Sequence, residues 1–79
     1  MSAADVVAQA EARVRVGRGD LSKIRRDAKL SQAAIGRAVG VSRVTVCKWE
    51  AGTRLPSGEH AVRLAQVLRD LEAVGGGPD

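Results

Sequence analysis

The chain contains no phenylalanine and no tyrosine, and its only aromatic residue is Trp49. A core must then be built from Leu, Val, Ile and Ala, and 79 residues support one domain with a small core. Cys47 is the only cysteine, which excludes an internal disulfide and fits a reducing, cytoplasmic setting. His60 is the only histidine and there is no CxxC pair, so neither a metal site nor another cofactor is expected. No run approaches the roughly 18 apolar residues of a membrane span. The N-terminus lacks the basic and apolar regions of a signal peptide, and no membrane association is expected. There is no phosphate-cradling glycine loop and no pair of carboxylates at a meaningful spacing. An enzyme is therefore not expected, nor is a small-molecule ligand.

Acidic residues are scarce in the middle of the chain. Residues 13–54 hold eleven Lys or Arg against three Asp or Glu, a net +8, whereas each flank carries −2. Such a basic segment is the electrostatic footprint of a nucleic-acid binder, or else the solvated face of an ordinary bundle. Charge alone does not choose between them.

What is present is a pattern from Ser31 to Gly52. Ser31 can cap a helix over Gln32–Val39, with Ile35 and Val39 on one face. Gly36 on the same side lets another segment approach, and Gly40 suits a left-handed helix end. Val41 plugs the turn. Ser42 caps a second helix, Arg43–Ala51, which Gly52 closes. A turn glycine, a small residue four positions earlier and a hydrophobic plug together form a helix-turn-helix signature.

Around it, Ser2 and Asp5 resemble a capping box for a helix ending near Val16, with Ala3, Val7, Ala10 and Val14 as its stripe and Val6 beside it. Gly17-Arg18-Gly19 is a break. Asp20 is expected to cap a helix over Leu21–Lys29 with Leu21, Ile24 and Ala28 inward. Ser57 is expected to cap a last helix with the stripe Ala61, Leu64, Ala65, Leu68 and Leu71, fraying near Val74. The expected units are an N-terminal helix over 1–16 for packing or dimerisation, a helix-turn-helix domain over 20–74 and a flexible tail over 75–79.

The second helix of the motif carries the functional reading. At about 100° per residue, Ser42, Val46 and Trp49 turn inward, with Thr45 and Glu50 flanking. Arg43, Val44, Cys47, Lys48 and Ala51 turn outward, toward a major groove. Arg43 can bind guanine O6 and N7, Val44 can touch a thymine methyl, and Lys48 can reach guanine or phosphate. Ser42 can meet a base edge or phosphate. The plainer alternatives are pure phosphate contact for Arg43 and Lys48 and a core position for Val44. Cys47 is an incidental small residue, an apolar base contact or an oxidisable thiol. Trp49 belongs to the core rather than to a base stack. Gln32, Arg37 and Arg54 are candidate phosphate contacts.

These residues resemble the Cro and C1 repressor family, also called XRE or lambda-repressor-like, over roughly Leu21 to Leu71. The matching positions are Leu30-Ser31-Gln32, Ile35, Gly36, Val39-Gly40-Val41-Ser42, Val46, Trp49-Glu50-Ala51-Gly52 and Pro56. The family usually has alanine at Gly36, a large aliphatic at Trp49 and asparagine at Ala51. The resemblance implies an all-α fold: a small helical bundle with a lambda-repressor-like DNA-binding domain, here with an extra N-terminal helix. It implies a sequence-specific regulator of transcription that binds double-stranded DNA, most simply a small Cro-like phage or plasmid repressor. It supports Ser42, Arg43, Val44 and Lys48 as base readers and pairs Arg25 with Glu50, although both could instead be exposed. It further implies a homodimer on a pseudo-palindromic operator. Two stripes outside the motif are candidates for the dimer contact: Ala3–Val7–Ala10–Val14 and Leu64–Leu68–Leu71. The competing reading is an antitoxin or protein-interaction module that uses its terminal helices. Many family members add a fifth core helix where this chain runs into glycine, so the N-terminal helix or a second subunit is expected to fill that place.

Overall fold

A computed structural model describes residues 2–75. Five helices follow one another: α1 Ala3–Gly17, α2 Asp20–Asp27, α3 Gln32–Val39, α4 Arg43–Ala51 and α5 Gly58–Gly75. The described residues form no strand. Of the expected tail, residues 76–79 lie outside the described residues.

Local chemistry accounts for most helix ends. Ser2 and Asp5 form a reciprocal capping box on α1: the Ser2 hydroxyl accepts the Asp5 N–H at 3.1 Å, and the Asp5 carboxylate accepts the Ser2 N–H. Ser31 accepts the Ala34 N–H at 3.0 Å, and Ser42 accepts the Thr45 N–H at 3.2 Å. Gly40 ends α3 at φ 93°, in the left-handed region where a side chain is disfavoured.

Two ends differ from expectation. Asp20 is not the cap of α2. Gly19 takes that place at φ 84°, and Asp20 is the first helical residue. Its carboxylate is drawn instead to Arg15 and Arg18, at 3.2 and 2.7 Å. At the other end, α2 stops at Asp27, because Lys29 turns left-handed at φ 60°. The Lys29 N–H then donates to the Arg26 carbonyl, and the Leu30 N–H to the Arg25 carbonyl. That is the double bond pattern of a helix end that normally uses glycine.

The core gathers Ala12 and Val16 from α1, Leu21, Ile35 and Val39, Val46 and Trp49 from α4, and Ala61, Leu64, Ala65 and Leu68 from α5. Trp49 is the largest of these side chains, and its indole N–H is buried without a hydrogen-bond partner among the described residues. An unmade bond of that kind costs about 1–3 kcal/mol, which the burial of the large ring offsets.

The packing of α1 corrects the stripe expected for it. The inward face carries Ala12 and Val16, with Ala8 half-buried, whereas Val7 and Val14 face solvent. Helix α1 has apolar residues on two sides, so periodicity did not single one out. Small residues on the chosen side let α1 lie close to α5, its main neighbour. The flanking polar side chains then reach their partners. Gln9 accepts the Gly58 N–H at 2.8 Å, Arg13 donates to the Pro56 carbonyl at 3.1 Å, and Arg15 forks onto Glu72. The Leu64–Leu68–Leu71 stripe is consequently not a free surface. Leu64 and Leu68 are buried and Leu71 is packed against the core.

Candidate nucleic-acid interface

Helices α3 and α4 meet through a turn that passes close against Gly36, which has no side chain. A Cβ there would stand 2.6 Å from the Val41 carbonyl oxygen. Val46 and Trp49 of α4 are buried, and the opposite side, Arg43, Val44, Cys47, Lys48 and Ala51, is exposed. Val44 is 53% exposed, so it is not a core residue. Ser42 is exposed too, with its oxygen engaged as the cap of α4. Arg37 on α3 and Arg54 in the loop after α4 are exposed.

Behind this face lies a polar cluster. Arg25 Nε donates to Glu50 Oε2 at 2.6 Å and Arg25 Nη2 to Glu50 Oε1 at 3.0 Å, a two-pronged pair. The third guanidinium nitrogen, Nη1, donates to the Leu30 carbonyl at 3.0 Å. The side chains of Arg25 and Glu50 are only 12% and 8% exposed. Burial pushes the Glu50 carboxyl up, but hydrogen bonds from Arg25 and Gln32 and the charge of Arg25 outweigh it. The carboxyl stays ionised below its ordinary range.

Gln32 connects this cluster to the exposed face. Its amide N–H donates to Glu50 at 3.0 Å, and its carbonyl oxygen accepts from Arg43 Nη1 at 3.4 Å. Gln32 is half-buried and thus ties the start of α3 to both ends of α4. Sequence reasoning placed Gln32 at phosphate alone and did not foresee this bridge.

The cations divide by partner. Arg15, Arg18, Lys23, Arg25, Arg63 and Arg69 each hold a carboxylate. Arg13 holds a backbone carbonyl and Arg43 holds Gln32. Among the described residues, the side chains of Arg26, Lys29, Arg37, Lys48 and Arg54 have no hydrogen bond or ion pair with the protein. All five lie between α2 and the loop after α4, where Glu50 is the only carboxylate beyond Asp27. Arg26 and Lys29 were not singled out from sequence. The signal that could have found Lys29 was a lysine standing where the chain must leave one helix and enter the next.

Among the described residues, no group of His, Cys, Asp and Glu could hold a metal, and no helix is long and apolar enough to cross a membrane. Cavities are shallow. The one between α2 and the end of α5 is lined by Ile24, Ala28 and Leu71 and holds about 190 Å³.

A helix-turn-helix family model matches residues 21–73. Repressor protein C2 of Salmonella phage P22 is 40% identical over 45 residues, 57% of this chain and 21% of that protein. The chain thus corresponds to about a fifth of that relative's length. No solved structure matches the chain. With the motif, its close glycine seat and the match over most of its length, this chain belongs to the Cro/C1-type helix-turn-helix family.

Proposed function

We propose that this chain is a sequence-specific repressor of transcription that lays the outer face of α4 in the major groove of double-stranded DNA. The observation that supports this reading best is the division of its cations. Every arginine and lysine elsewhere has a partner in the protein, a carboxylate in all cases but Arg13, whereas the five side chains without a partner all sit on or beside the helix-turn-helix. A cation left unpaired on one face gains most from a phosphate, because releasing condensed counterions drives binding. Arg43, Val44, Cys47 and Lys48, with Ser42 at the helix start, form the surface that meets base edges. Arg37 and Arg54 contact phosphate, with Arg26 and Lys29 extending that track. Gln32 adds its remaining amide N–H, while the Arg25–Glu50 pair holds α4 in place.

Repression follows from occupancy: a protein seated in the groove excludes polymerase. The resemblance to a phage repressor favours a regulator of phage or plasmid type, acting in the cytoplasm. One helix-turn-helix reads few base pairs, so two copies on a pseudo-palindrome supply the missing discrimination.

Selection of bound sites from random duplexes tests the reading. We expect one enriched, two-fold symmetric site. Arg43→Ala should lose about 1–3 kcal/mol on it and relax preference at one position. Arg37→Ala and Arg54→Ala should weaken all duplexes alike and lower the salt dependence by about one ion each. No enriched site, or an unchanged ranking of site variants with Arg43→Ala, would overturn it.

A further inference from the structure

Helix α1 lies outside residues 21–73, the stretch that the family model covers. Its side chains nevertheless reach the loop that carries Arg54. That loop, residues 52–57, joins the end of α4 to the start of α5. A glycine stands in the left-handed region at each end of it, Gly52 at φ 78° and Gly58 at φ 58°, so the chain turns there with little restraint of its own. Two anchors hold the loop. On the α4 side, the Thr53 N–H and hydroxyl both donate to the Lys48 carbonyl, at 3.0 and 3.2 Å. On the α5 side, α1 supplies the bonds. Arg13 Nη1 donates to the carbonyl of the buried Pro56 at 3.1 Å, and Gln9 Oε1 accepts the Gly58 N–H at 2.8 Å. Gln9 and Arg13 stand one helical turn apart on the same side of α1. Between the anchors, Arg54 and Leu55 are exposed and make no hydrogen bond with the described residues. The course of the backbone at Arg54 is therefore set from its two ends, and one of those ends belongs to α1.

We infer that Gln9 and Arg13 are positioning residues for DNA binding: they clamp residues 52–57 so that Arg54 is already placed for its phosphate. The inference rests on the DNA-binding reading above. A loop fixed beforehand loses less freedom when it docks, and the difference appears as affinity. The contact being placed is to phosphate, so the gain is the same for every sequence. The partner chosen by Arg13 supports this role. Arg15, Arg18, Arg63 and Arg69, the other arginines outside the helix-turn-helix and α2, hold carboxylates. Arg13 alone among them holds a backbone carbonyl, and that carbonyl lies two residues from Arg54. A bond of this kind fixes the path of the chain and neutralises no charge.

The test uses the full chain and the duplex recovered by selection, beside unrelated duplexes. Arg13→Met keeps the apolar stem and removes the donor. It should lower affinity for every duplex about 3- to 10-fold and leave the ranking of site variants unchanged. In an Arg54→Ala background the same change should have no further effect, because nothing remains to be placed. In the free protein, backbone order parameters should fall over residues 53–57 and hold steady through α3 and α4. Gln9→Met removes the other α1 bond and should act in the same way more weakly, and it carries the test if Arg13→Met does not fold. Losses that add in the double variant, with the salt slope lowered by a further ion, make Arg13 a phosphate contact of its own and overturn the proposal. Full affinity in a folded Arg13→Met variant, or unchanged order in the loop, overturns it as well. Each of those failures leaves wild-type binding intact, whereas wild type that binds no duplex removes the DNA-binding reading and the proposal with it.

Discussion

The α1–α5 side and the α3–α4 side of this small bundle use the same residue types for opposite ends. Where α1 meets α5 and the start of α2, arginines interlock with carboxylates: Arg15 with Glu72 and Asp20, Arg69 with Glu11. On the α3–α4 side, one buried pair, Arg25 of α2 with Glu50 of α4, is completed and the surrounding cations are left open. On the first side the charges hold two helices in register. On the second, five cations are left without a partner in the protein, as the proposed DNA contact requires. An ion pair on a surface contributes little, about 0–1 kcal/mol, so leaving five cations unpaired costs the fold little and makes the face attractive to phosphate.

The comparison breaks most sharply at Glu50, the one acidic residue of the open side. Glu50→Ala leaves Arg25 buried without a partner and should destabilise the fold by about 3–5 kcal/mol. Thermal melts measure this, and a melting temperature that hardly moves would show that the pair does not hold α4.

Gly36→Ala comes next. It drives a methyl group toward the Val41 carbonyl, and the turn must shift to admit it. The expected cost is about 1–3 kcal/mol. Chemical denaturation measures it, and an unchanged midpoint would show that the turn yields freely.

Acid sharpens the comparison by acting on both sides. Asp20 is held below its ordinary value chiefly by the hydrogen bond from Arg18, and Glu72 chiefly by that from Arg15. Glu50 is depressed by Arg25 and Gln32 against its burial. A depressed carboxyl contributes stability that is present above its unfolded pKa, about 4. That stability is lost as pH falls through the lower folded value. Stability should hold from neutral pH to about 5 and then decline. Glu50→Gln should reduce the slope of the decline, read from denaturation midpoints across that range. An identical slope would remove Glu50 from the acid response.

The smallest effect is the most discriminating. Lys29 stands left-handed where glycine is cheaper. Lys29→Gly should raise stability by a few tenths to about 1 kcal/mol, the relief of left-handed strain exceeding glycine's entropy cost. It should also weaken binding to every duplex and lower the salt slope by about one ion. The two signs separate a phosphate contact from a structural residue. Unchanged binding beside improved stability would mean that Lys29 is only an awkward turn.

Much of this was legible in the sequence, for a local reason. A serine cap, a turn glycine and a side chain's angle on a helix depend on neighbours within a few positions. Ser31, Ser42, Gly40 and the two faces of α4 were therefore readable directly, and α4 buries the expected Val46 and Trp49. Lys29 was less readable, because left-handed geometry in a non-glycine residue is imposed by the helices on either side. Gln32 looked like a phosphate donor because its bridge joins residues 18 and 11 positions away.

By itself, then, the sequence determined the helices, the motif and the basic stretch between Arg13 and Arg54, since these follow from spacing and composition. Only the tertiary structure decided which side of α1 would be covered. Both sides of that helix are apolar, so the hydrophobic effect alone did not choose between them. The choice fell to small residues that admit α5 and to Gln9, Arg13 and Arg15, whose partners lie more than forty residues away at Gly58, Pro56 and Glu72.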